Sequence, residues 1–220
     1  MKNKLMTAKA TKKIEIDETY LLDFLKRLLR TPSPSGMTDV IVAIVCAELE
    51  SLEIPFELTR RGAIRATLKG KTSLPSRALV GHLDTLGATV KHIRDNGRLE
   101  LVPIGHWSAR FAEGARVTVF TDTKQFRGTI LPLKASGHTY NEEVDDQPSA
   151  WTNVEVRIDA KTSNVAETRA LGIQIGDTVS VDAQPEFVNT GFIASRHLDD
   201  KAGVAAMLTA VRALHKAKVI

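Results

Sequence analysis

From about residue 89 to residue 187 the sequence is a run of short β-rich segments separated by turn residues, and on either side it reverts to helical periodicity. One sheet cannot absorb both patterns. Closely spaced short strands close into a small antiparallel barrel or sandwich, whereas the flanks call for helices packed on a sheet. The predicted fold class is therefore α/β, with an α/β domain interrupted by a β-rich insert, a small barrel or a sandwich.

In the first flank, Asp17 is placed to cap a helix whose apolar face is Leu21, Phe24, Leu25, Leu28 and Leu29. The Thr31-Pro32-Ser33-Pro34-Ser35-Gly36 run stops it. A second helix is expected over residues 38–52, with Val40, Ile41, Ile44, Val45 and Leu49 inward. Two β-rich segments follow at 56–60 and 63–68. Residues 77–81 are predicted as a buried strand that delivers His82 at its carboxyl end. Within the insert, segments 89–94 and 98–104 flank Asp95-Asn96-Gly97, a hairpin signal because Asn-Gly takes positive φ at little cost. Further strands are expected at 116–120, 126–130 and 154–158, with one helix at 164–171 ending at Gly172. The second flank offers a strand at 191–196 and a helix at 202–216 with Val204, Leu208, Val211 and Leu214 on one face. The expected division is a tail (1–14), an α/β part (15–88 with 188–220) and the insert (89–187). Strand edges on a small barrel invite pairing, so the insert is also the expected surface for homo-oligomer formation.

Charge and composition exclude several classes. The net charge of +4 is outweighed by the lysines at positions 2, 4, 9, 12 and 13, which leaves the body near neutral. Aromatic residues are only 5%, so the basic stripe with interleaved aromatics that nucleic acid requires is missing. No apolar run is long enough to cross a bilayer. The single cysteine, Cys46, excludes an internal disulfide, suits a reducing compartment, and is expected to be a buried thiol in the second helix.

Two polar clusters stand where α/β proteins place ligands, past the carboxyl ends of strands. In Gly81-His82-Leu83-Asp84-Thr85, the histidine can give one ring nitrogen to a metal while the aspartate two residues on holds the proton of the other. In His197-Leu198-Asp199-Asp200-Lys201-Ala202-Gly203, a carboxylate can bridge two cations through its two oxygens. Taken singly, an HxD triplet is more often structural and an Asp-Asp before a helix is usually a cap. The Glu142-Glu143 pair is expected to be a solvated loop. His92, His106, His138, His197 and His215 are expected at surface, loop or barrel positions, with His197, two residues before Asp199, kept as a secondary candidate for local participation.

These motifs resemble the two leading metal motifs of the tetrahedral aminopeptidases, the M42 peptidases, which include glutamyl and deblocking aminopeptidases. Asp95-Asn96-Gly97, Pro103-Ile104-Gly105, Leu171-Gly172-Ile173-Gln174-Ile175-Gly176-Asp177 and Pro185-Glu186-Phe187 extend the likeness over nearly the whole chain. The runs at 60–67 and 195–201 are similar to a bacterial subgroup associated with the osmoprotectant N-acetylglutaminylglutamine amide. The resemblance implies a phosphorylase/hydrolase-like zinc-peptidase domain and a cytoplasmic enzyme removing amino-terminal residues from peptide substrates. It implies two divalent metal ions, zinc or cobalt. His82 would ligate one, Asp84 would orient His82, Asp199 would bridge both, and Asp200 would lie beside it in a strained turn. The insert would be the dimerisation barrel. Thr85 and Lys201 depart from the family's usual glutamate and arginine. The family's Glu-Glu pair, one glutamate being the general base, has no counterpart before Ile220. The expectation is therefore a chain truncated at its carboxyl end and inactive alone; the alternative is an association module built on the barrel.

Overall fold

The computed structural model describes residues 14–70, 72 and 74–217. Of the expected tail at 1–14, all but Ile14 lies outside them. Helices α1 (Glu18–Arg30) and α2 (Asp39–Ser51) are followed by a small hairpin of β1 (Phe56–Leu58) and β2 (Ile64–Ala66). The barrel comprises β3 (Gly87–Ile93), β4 (Leu99–Ile104), β5 (Arg116–Phe120), β6 (Gln125–Pro132), β7 (Val154–Ile158) and β8 (Thr178–Val181). It carries three short helices: α3 (Gly137–Tyr140), α4 (Glu143–Asp146) and α5 (Val165–Ala170). The chain then forms a two-residue pair, β9 (Glu186–Phe187) with β10 (Ile193–Ala194), and ends in α6 (Leu198–Lys216).

The barrel is closed in the order β3-β4-β7-β6-β5-β8, every pairing antiparallel. Its inside is lined by alternating β-branched and aliphatic residues, among them Val90, Leu101, Val117, Val119, Ile130, Val156 and Val179, all essentially inaccessible. Each such burial is worth about 1.5–3 kcal/mol, which makes the barrel a core in its own right. The Asn96-Gly97 hairpin joins β3 to β4 with Gly97 at φ 80°. A side chain there would also strike Thr168, whose hydroxyl donates to the Gly97 carbonyl at 2.7 Å and so docks α5 on the hairpin.

The second core lies between helices. Phe24, Leu25, Leu28 and Leu29 of α1 pack with Ile41, Val45 and Leu49 of α2 and with Ala205 and Leu208 of α6. Asp17 caps α1 by accepting from the Tyr20 backbone N–H at 3.0 Å, and its other oxygen takes the Arg212 guanidinium of α6 at 3.0 Å. One aspartate thus ties the first helix to the last.

Several expectations are corrected. Residues 77–81 form no strand, and Leu79 and Val80 are exposed at 71% and 87%. An apolar segment becomes a strand only where a neighbour takes its hydrogen bonds, and none of the described strands pairs with it. The strand expected at 191–196 shrinks to Ile193–Ala194. Val40 faces solvent because α2 buries only the Ile41, Val45 and Leu49 stripe. Cys46, one position past that stripe, is half-buried. Strand β8 was not anticipated, and it closes the barrel, so β3 and β5 present no free edge to another chain. No helix among the described residues is long and apolar enough to cross a membrane.

Candidate functional site

The Thr31–Gly36 run does more than end α1. Thr85 donates its backbone N–H to Ser33 at 2.8 Å, and Ser35 donates to the Thr85 carbonyl, so Pro34 and Thr85 form an isolated parallel bridge. The Ser33 hydroxyl donates to the Leu83 carbonyl, and the Ser35 hydroxyl to the Asp84 carboxylate at 2.5 Å. This turn therefore grips residues 83–85 from one side. On the other side Gly87 enters the barrel so close to Pro34 that a Cβ would lie 2.8 Å from that ring.

The second cluster is fixed from three directions. The Ser195 hydroxyl and the Arg196 backbone N–H both donate to the Ala183 carbonyl. His197 adopts left-handed backbone, φ 67°, and its Nε2 meets the Val181 carbonyl at 2.9 Å. Lys201 is 1% exposed and donates to the Leu28 and Thr31 carbonyls at the end of α1. Between these anchors the Asp199–Asp200 peptide is cis, and Asp199 has extended backbone inside the helix start. The Asp200 carboxylate lies over Gly203 and against Gly81, where a Cβ would stand 2.1 Å and 2.8 Å from its oxygens. Only glycine leaves it room at both places.

These anchors bring His82 and Asp199 together, Nε2 to Oδ1, at 3.0 Å. The other ring nitrogen, Nδ1, faces the Asp84 carbonyl at 3.0 Å and its carboxylate at 3.2 Å. Burial lowers the basicity of this ring, but the Asp84 carbonyl and the Asp199 carboxylate outweigh it and hold its pKa above the ordinary value. The Asp199 side chain is 95% exposed, so the pair opens on solvent. Each ring nitrogen thus faces an acceptor, while a neutral imidazole has one N–H to give. The second contact needs either another proton or a cation shared with Asp199.

The other candidates lie elsewhere. The Asp200 carboxylate is occupied against its two glycines. The His197 ring is turned to the barrel, and burial lowers its pKa. His92, His106, His138 and His215 are exposed. Glu142 and Glu143 sit on the exposed α3–α4 turns and not in an irregular loop. Among the described residues no group of three or more His, Cys, Asp or Glu side chains is arranged to hold a metal. The sequence reading missed Ser33, Ser35 and buried Lys201. The signal was available in the serines alternating with prolines, which fix an extended turn and leave the hydroxyls free to bond.

The fold is shared with solved aminopeptidases. Aminopeptidase APDkam598 from the archaeon Desulfurococcus kamchatkensis superposes with a TM-score of 0.74 at 26% identity, over 88% of this chain and 51% of that one. Pyrococcus horikoshii TET1 peptidase gives 0.74 at 22% identity, over 89% of this chain and 57% of that one. Among curated proteins, YhfE of Bacillus subtilis is 36% identical over 188 residues, which are 85% of this chain and 54% of YhfE. The chain thus spans about half the length of the relatives it matches. The family model for M42 glutamyl aminopeptidases matches residues 62–220, and the chain belongs to that family of divalent-metal peptidases.

Proposed function

We propose that these residues furnish the leading part of a two-metal aminopeptidase site acting on the amino-terminal residue of peptides. The observation that carries this reading is the His82–Asp199 contact. At 3.0 Å the two atoms are close enough for one cation to reach both through bonds of about 2.0–2.2 Å, and His82 has an acceptor at each nitrogen. The donor chemistry, one imidazole and one carboxylate, suits zinc or cobalt. Asp84, held by Ser35, keeps the proton on Nδ1 and turns the Nε2 lone pair toward Asp199. Asp199 offers a second oxygen to solvent, as a bridging carboxylate would. When bound, such ions polarise a carbonyl and lower the pKa of water. The protein's part is to fix His82 and Asp199 in register, through the Ser33–Thr85 and Lys201–Thr31 bonds.

The described residues supply two donors to this site, and apart from Asp84, which faces the far side of the His82 ring, they place no further carboxylate beside the pair to act as general base. The present chain is therefore proposed to bind metal weakly and to hydrolyse little by itself. The likeness at 60–67 and 195–201 supports assignment to the subgroup associated with the glutamine-dipeptide osmoprotectant. The solved TET1 peptidase is described as assembling into a tetrahedron or a large octahedral shell. A homo-oligomer is proposed here too, with barrel side chains in place of strand edges as the contact, because the barrel is closed.

The test is calorimetric titration of the metal-free chain with zinc or cobalt. Saturable binding in the wild type that His82→Ala and Asp199→Ala each abolish is the expected result. Equal heats from all three proteins would reject the site.

A further inference from the structure

A cavity of about 260 Å³ lies behind the candidate site, between the end of α1, the start of α6 and the barrel strands β5, β6 and β8. Its lining carries an excess of positive charge. Arg30, Arg127 and Lys201 face it with a single carboxylate, Asp182, and that carboxylate is already taken by Arg127 in a bidentate pair. Lys201 is 1% exposed and donates to two carbonyls, so no carboxylate among the described residues is seen to neutralise it. Thr85, 6% exposed, lines the same cavity, and its hydroxyl is buried without a hydrogen-bond partner. Leaving such a group unsatisfied is costly, and a buried lysine without a counter-charge more so.

We propose that this cavity binds a small monovalent anion, of the size of chloride or acetate, between the Lys201 ammonium and the Thr85 hydroxyl. One ligand then resolves both anomalies. Water would satisfy the hydroxyl but leave the cationic excess in place. The volume is several times that of one water molecule, for which roughly 30 Å³ is the share in the liquid, so the cavity has room for a small anion. The site is separate from the His82–Asp199 pair and needs no metal.

The experiment is thermal unfolding of the full chain in EDTA, at constant ionic strength, with sodium chloride or sodium acetate replacing sodium gluconate. The expected result is a saturable rise in Tm, on the order of 5 °C at about a hundred times the dissociation constant, with one or both small anions. Thr85→Ser keeps the hydroxyl and should keep the rise. Thr85→Val keeps the shape and should lose it. Should the valine variant fail to fold, chloride-35 line broadening on the wild type, reversed by acetate, decides the same question. No saturable rise and no broadening, or an equal rise in Thr85→Val, would overturn the proposal.

Discussion

His82 Nε2 and Asp199 Oδ1 stand 3.0 Å apart although 117 residues separate them in the chain. The whole barrel lies between, and its closure is what makes the meeting reproducible. The chain leaves beside His82 into β3 and returns from β8, and β3 and β8 are hydrogen-bonded neighbours. Exit and return are thus set side by side by one strand pairing, and His197 and Ser195 then clip the returning segment to the end of β8.

The Ser35–Asp84–His82 chain of contacts should be felt in metal affinity. Asp84→Ala removes the carboxylate that faces Nδ1 at 3.2 Å but leaves the Asp84 backbone carbonyl at 3.0 Å, so the loss should be about tenfold, the low end of the 10–100-fold that such partners are worth. Ser35→Ala should give a smaller loss in the same direction, since it only frees Asp84. Competition with a chromophoric chelator checks both. An Asp84→Ala chain that holds zinc as the wild type does would show that His82 is oriented by something else.

Gly203→Ala should destabilise the chain although alanine favours helix. The new Cβ would fall 2.1 Å from an Asp200 oxygen, so the carboxylate and the start of α6 must shift. Overpacking of this kind costs about 1–3 kcal/mol. Gly137→Ala is the control, because a Cβ there meets nothing within 4 Å. Urea unfolding of the two variants should separate them clearly.

Acid should loosen the junction of α1 and α6. The Tyr20 backbone N–H, followed by Arg212 and Lys216, holds the Asp17 carboxyl below its ordinary pKa against the opposing effect of partial burial. The folded pKa is depressed, so the stabilisation is present above the unfolded value of 3.8 and is lost as pH falls through the folded value. Asp17→Asn keeps a capping oxygen but cannot titrate. Its Tm should therefore fall less steeply than that of the wild type below pH 4. Parallel acid slopes would show that other carboxylates control this limb.

How far the sequence foretold these features depended on whether a signal was local. Strands 116–120 and 154–158 were legible to the residue because alternating Val and Ile are bounded by turn residues. The Asn96-Gly97 hairpin and the Asp17 cap are likewise local chemistry. Thr178–Val181 was missed because four residues after Gly176-Asp177 carry too short a pattern, yet it supplies the pairing that closes the barrel. At 77–81 hydrophobicity was legible, but strand formation depends on neighbours that a run of apolar residues cannot specify. His82, Asp84 and Asp199 were picked out by their chemistry, whereas the grip of Ser33, Ser35 and Lys201 on them is a long-range arrangement. Lys201 stands where the resembled family has arginine, and nothing in its surroundings in sequence marks it as one of the most buried side chains.

The last expectation concerns turnover. A positioned general base contributes about 10²–10⁴ in rate, and no carboxylate or histidine of the described residues beyond His82, Asp84 and Asp199 stands at the pair to serve as one. His197 is the nearest further histidine in sequence, but its Nε2 is committed to the Val181 carbonyl, and burial disfavours its charged form. Asp200 is confined between Gly81 and Gly203. Metal retention compounds the deficit, because two protein donors leave most coordination positions to water. Residues 1–220 supplied with zinc or cobalt should therefore cleave short peptides slower than a complete site by at least about a hundredfold, the low end of a general base's contribution. The comparison is a fusion of this chain to the part of YhfE that it does not cover, assayed for release of the amino-terminal residue. Activity in the fusion that His82→Ala removes, with little in residues 1–220, is the expected pattern. Turnover by residues 1–220 within tenfold of the fusion, and lost in His82→Ala, would mean that residues of this chain far from the pair complete the site.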